Sequence, residues 1–146
     1  MGILDSIRLI FKPKEPKRLG NISIYETLLL LNGLCKPENI FLSDSVYGIT
    51  STEEAKKFTE ETMVSARQWV AEKHDCDNFS FALMGYWSQG LENFCFGIAW
   101  SNVHAFNIMI DDKKQVFIVE PQSNKYIPIE ESKRKSLYYP IRLIVI

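Results

Sequence analysis

Apolar and polar positions along this chain keep a helical spacing through the first ninety residues or so and then change to alternation. Ile3, Leu4, Ile7, Ile10 and Phe11 fall on one face of a short helix, and the stretch KPKEPKR at 12–18 breaks it. Residues 22–34 predict a second helix, ended by CKPEN at 35–39, with a brief extended segment at 40–42. Ser51 or Thr52 followed by Glu53 and Glu54 is a helix start. Ala55, Phe58, Thr62, Val64, Ala66, Trp69 and Val70 extend that helix to about Lys73. A further helix runs from about Cys76 to Trp87, with Phe79, Leu83, Tyr86 and Trp87 on its inner side. Beyond it Phe94, Phe96, Ile98 and Trp100 alternate with small residues, and a turn at Ser101 and Asn102 leads to a strand at 103–110. A polar turn at 111–114, a strand at 115–120 and a last strand at 141–146, entered through Pro140, complete the pattern. Helices first and an antiparallel sheet afterwards define a compact α+β fold.

Composition narrows the function classes. Of 146 residues 46% are hydrophobic and 24% charged, which suits one domain with a packed core. Seventeen basic and eighteen acidic side chains give a net charge of −1, so no overall field attracts nucleic acid. The charge is uneven: residues 1–20 hold five basic and two acidic side chains, +3, which leaves −4 for the remainder. The chain therefore divides into an amphipathic N-terminal segment with a basic linker, 1–20, and an α+β domain, 21–146. Met1, Gly2 and Ser6 fit a myristoylation pattern, and the segment would contact a partner or a membrane surface. The longest apolar run, four leucines at 28–31, falls well short of the ~20 residues that a spanning helix needs. Cys35, Cys76 and Cys95 are an odd set without CxxC spacing, as expected of a reduced, cytoplasmic protein.

One stretch carries chemistry: HDCDNFS, residues 74–80, which sets Cys76 between two aspartates at a helix start. Unpaired N–H groups and the helix dipole stabilise a thiolate there, while Asp75 and Asp77 oppose it, so the cysteine requires a cation nearby. Asp75 alone is also a plain N-cap. His104 opens the strand HAFN, and the next strand ends at Glu120. An odd number of loop residues between these strands places both side chains on one face, directly opposed if the paired residue numbers sum to 224. In register, Glu120 would orient the His104 imidazole and His104 would activate Cys76, with the Cys76 N–H and the Gln68 amide as oxyanion donors. A zinc site built from His74, Cys76, Cys95 and His104 is the rival reading, although its spacing is unusual. Otherwise Cys35 and Cys95 are core residues.

DCDNFSFAL, HAFNIMI and VFIVEPQ, in that order over about residues 40–125, resemble the papain-like cysteine peptidase domain of the Marasmius-type mushroom agglutinins and related small bacteriophage proteins. That resemblance implies a papain-like fold, with Cys76 as nucleophile, His104 as base and Glu120 as orienting acid. It implies a thiol protease or amidase that hydrolyses peptide, isopeptide or related amide bonds in a peptide or protein substrate. It also implies calcium, for which no ligands are assigned, and the cytoplasm of a phage-infected bacterium as a setting. A non-catalytic binding or inhibitor module on the same fold, or a transglutaminase-like acyl transfer, are the alternatives.

Overall fold

Ser23 decides where the first helix begins. Its Oγ accepts from Glu26 N–H at 3.2 Å while Glu26 Oε2 accepts from Ser23 N–H at 3.0 Å, a capping box that satisfies two donors at once. The helix expected over 22–34 is therefore α1, Ile24–Leu31, and the residues before it form strand β1, Gly20–Ser23. The structure, a computed structural model, is described over residues 12–146. The expected N-terminal helix and the myristoylation pattern lie outside the described residues.

Strand β2, Ile40–Phe41, and strand β3, Val46–Ile49, follow. The second of these is absent from the sequence pattern, and it pairs antiparallel with β1 to bury Tyr47 and Ile49. Helix α2, Thr52–Glu61, starts on Ser51, whose Oγ accepts from Glu54 N–H at 3.1 Å. It stops a dozen residues sooner than its spacing suggests. Thr62 turns its hydroxyl onto Thr59 O at 2.6 Å, and Met63 adopts φ 57°, a left-handed conformation that no helix continues through. Trp69 and Val70 hold helical positions but are 54% and 38% exposed, so no buried face supports a helix there.

Helix α3, Cys76–Ser88, matches its expected span closely. The main sheet is built from β4, Phe96–Ser101; β5, Ala105–Ile110; β6, Val116–Glu120; β7, Lys125–Pro128; and β8, Ile141–Val145. A short helix α4, Ile129–Ser132, follows β7; neither it nor β7 was expected. The strand order is β2-β8-β4-β5-β6-β7, with β2 parallel to β8 and the other pairs antiparallel. The protein is thus a mixed α+β fold, as its pattern predicts.

Both faces of the sheet are covered. Phe106, Ile108, Ile110, Ile118 and Ile144 form one core with Ile22, Leu31 and Tyr47. Phe96, Met109 and Val119 form the other beneath α2 and α3, where Trp87 stacks on Phe96 at 4.4 Å and meets Phe58 edge-on at 4.9 Å. Each such side chain contributes roughly 1.5–3 kcal/mol by leaving water. Residues 12–19 cross the α2 side of the domain: Pro16 is buried, Lys14 N–H and Lys17 N–H donate to Glu61 and Glu54, and Arg18 pairs with Glu92.

Two details of register position the site. Between β5 and β6 the partners Asn107↔Val119 and Ile110↔Val116 leave five loop residues, 111–115. Their odd number puts His104 and Glu120 on one face, although the sum is 226, so they meet diagonally and not head-on. Between β4 and β8, Ser101 pairs with Ile141 but Trp100 with Leu143, which leaves Arg142 opposite nothing. That is a β-bulge, and it swings Arg142 out of the sheet's alternation.

Candidate binding cleft

At the start of α3, Asp75 has the extended backbone of an N-cap, and its N–H donates to Asn78 Oδ1 at 3.2 Å. The first turn is held to the sheet by a relay of hydrogen bonds. Ser80 Oγ donates to Cys76 O at 2.9 Å, and Asn107 Nδ2, fully buried, donates to Ser80 O and to Gly97 O, both at 3.0 Å. Helix and strands therefore meet at a fixed distance. Between them lies an open cleft of about 310 Å³, walled by Asp75, Cys76 and Asp77 on one side and by Trp100, the turn 101–105 with His104, and Arg142 on the other.

His104 is held from behind. Its Nε2 lies 2.7 Å from Glu120 Oε2, and the same carboxyl oxygen accepts from Tyr138 Oη at 3.2 Å. Since a carboxylate can only accept, Nε2 carries a hydrogen, and in the neutral ring Nδ1 is an acceptor. The His104 ring packs against Phe106 and Tyr138, with centroids 6.0 and 5.9 Å away, on the sheet face opposite the one that α3 covers. Burial and the Glu120 charge push the Tyr138 hydroxyl well above the usual phenol range. Beside the cleft, Trp100 is half-buried and lies 5.9 Å from Phe81, an exposed ring on α3. Asp75 shares a hydrogen bond with Asp77, which raises its pKa above the ordinary aspartate value.

The sequence-predicted residues thus come together in part. Cys76 and His104 line the same cleft, and Glu120 orients His104. Among the described residues, however, neither Cys76 Sγ nor His104 Nδ1 makes a hydrogen bond, the imidazole using Nε2 for Glu120. Gln68 is exposed in the irregular segment after α2 and does not line the cleft. Cys95 is in the core with Thr27, its thiol pushed up to about 12 by burial, which takes it out of the zinc set proposed with His74, Cys76 and His104. Among the described residues no three histidine, cysteine or acidic side chains gather as a metal site. Sequence reasoning missed Trp100 and Arg142. Trp100 reads as a core position by alternation, and the bulge that frees Arg142 has no signature in one strand alone.

An α+β fold with a polar, aromatic-edged cleft at a helix start is the class that this geometry defines. No protein-family model matches the chain, and no curated protein does. Among solved structures it is similar to a PSL1a–E64 complex, at 17% identity and a TM-score of 0.64 over 86% of this chain and 51% of that one. It is similar also to the Polyporus squamosus lectin bound to the human-type influenza-binding epitope Neu5Aca2-6Galb1-4GlcNAc, at 17% identity and a TM-score of 0.63, over 86% and 49%. The chain therefore spans about half the length of the lectin chains that it resembles, and at that identity the likeness is one of fold.

One of these neighbours is a lectin by name, which corrects the resemblance to a papain-like cysteine peptidase: what the likeness shows is the fold. The reading as a hydrolase of amide bonds in a peptide or protein substrate is corrected with it, as are the thiol-protease and bacteriophage descriptions; the placement of Cys76, His104 and Glu120 is untouched by the likeness. The likeness covers 86% of this chain and about half of each of those, whereas the three motifs are short local stretches. Among the described residues no helix is long and apolar enough to cross a membrane.

Proposed function

We propose that this chain is a non-catalytic binding module that takes a carbohydrate, or a similarly hydroxyl-rich ligand, in the cleft between the start of α3 and the β4–β5 turn. The observation that carries this reading is the composition of the cleft walls. Asp75 and Asp77 offer acceptors on one side, the His104 ring and the Arg142 guanidinium offer polar groups on the other, and the Trp100 ring on that second side supplies an apolar surface. Convergent polar groups beside an aromatic plane satisfy hydroxyls while burying the C–H faces of a sugar ring. Cys76 forms part of the floor, and Glu120 with Tyr138 serves to hold the imidazole at one angle. The lectin name of the structural neighbours supports the ligand class, and the epitope bound to one of them belongs to that protein alone.

The test is a glycan array followed by calorimetry on the best binders, with Trp100→Ala as the diagnostic variant. Loss of a central aromatic contact is expected to weaken binding about tenfold or more, with little change in melting temperature because Trp100 is only half-buried. An array without binders, or a Trp100→Ala protein that binds as tightly as the parent, overturns the reading.

A further inference from the structure

Arg142 stands at the boundary of two clefts. It closes one end of the polar cleft, and it also lines a larger open cleft of about 530 Å³ whose walls include Gly33, Cys35, Lys36, Asn39 and Pro140. The bulge that leaves Arg142 unopposed in the β4–β8 ladder is what turns it toward this divide. Its Nε donates to Ser101 O at 2.9 Å, which fixes the plane of the guanidinium. Among the described residues that is the group's one hydrogen bond, so the two terminal nitrogens are left for a ligand.

The two clefts differ in charge. The inner one carries Asp75 and Asp77; the outer one is lined by Lys36, which among the described residues has no ion-pair partner, with Glu38 the neighbouring acid beside Cys35. Asn39 adds a further donor and acceptor. Each volume lies within the range that holds one small ligand, so together they suit an oligomer of several units.

We propose that the outer cleft is an anion-binding subsite, in which Arg142 and Lys36 receive a carboxylate or sulfate group of an oligosaccharide whose neutral portion occupies the inner cleft. This rests on the binding-module reading for the inner cleft and adds to it a direction and a charge requirement. A neutral end lies by Trp100 and the aspartates, which repel anions, and the charged residue lies beyond Arg142. The guanidinium makes paired hydrogen bonds to a planar carboxylate, while Lys36 acts as a point charge that tolerates either anion.

The experiment measures binding of matched oligosaccharides that are neutral, uronate-containing or sulfated, and of inorganic sulfate alone, to the parent, Lys36→Ala and Lys36→Glu proteins at two salt concentrations. The expected result is a preference for the charged ligands that falls with added salt, a loss of about tenfold for them in Lys36→Ala and more in Lys36→Glu, and unchanged affinity for the neutral ligand. Charged ligands that bind Lys36→Glu as well as the parent overturn the subsite while leaving the module standing. Sulfate binding that depends on Lys36, without binding of any oligosaccharide, overturns the module and limits the outer cleft to a free anion. Preference for the neutral ligand overturns the proposal outright.

Discussion

Three thiols sit in three environments, and chemistry can tell them apart. Cys95 is 1% exposed and its pKa is pushed up to about 12 by burial; Cys35 is buried and raised for the same reason; Cys76 is half-buried on the cleft wall. Because the thiolate is the species that reacts, burial slows Cys35 and Cys95 twice, by limiting access and by raising the thiol pKa. Iodoacetamide added to the native protein near pH 8 is expected to alkylate Cys76 first, Cys35 later and Cys95 only on unfolding, as read by peptide mapping. Equal rates at Cys76 and Cys95 would contradict this placement. At this scale the sequence was informative wherever strand parity decides: an odd loop suffices to put His104 and Glu120 on one face, and the structure joins them at 2.7 Å. It was uninformative about Gln68, whose position depends on where α2 ends.

Two helices proved legible at their starts, and one of them, α2, illegible at its end. Ser51 and Asp75 mark the starts of α2 and α3 because a capping side chain acts within three residues of itself. The end of α2 depends on whether Trp69 and Val70 find a core to face, a property of the folded whole, and they do not. Strands β3 and β7 escaped because four residues carry too little alternation to be distinguished from loop. The contact between α3 and the sheet rests on a polar side chain that no apolar pattern would reveal. Asn107, buried in β5, ties Ser80 O of the helix to Gly97 O of β4. Asn107→Ala removes both hydrogen bonds and leaves a void, at a cost of about 1–3 kcal/mol in urea denaturation. It should also widen the cleft, so ligand affinity and stability fall together; a change below the error of the measurement would mean that α3 is held by apolar contacts alone.

For the molecule as a whole, the period change gave the α+β class, since layered packing follows from which faces are apolar. The cleft was visible only in part, through HDCDNFS on one wall and His104 on the other. Its inner wall is a local motif, HDCDNFS, whereas Trp100, Arg142 and Lys36 come from separate stretches that meet only once β8 lies between β2 and β4. A motif of that kind fixes an arrangement of atoms without fixing a use, and the peptidase reading treated the first as the second.

The bulge at Arg142 can also be seen as a single inserted residue. Ile141 and Ile144 both lie in the core, although three positions apart in an unbroken strand would face them oppositely. Removing Arg142 from the chain brings Ile141 and Ile144 to a spacing of two, with Leu143 facing out between them, so the shortened strand regains regular alternation. The deletion is therefore expected to cost little, within about 1 kcal/mol for the lost hydrogen bond to Ser101. It should abolish the preference for charged oligosaccharides while the melting temperature stays within a few degrees. A deletion that unfolds the domain would mean that the extra residue is needed for closing β8 against β4. A deletion tolerated as expected would mean that the fold is complete without this residue, which persists as an insertion for the sake of its charge.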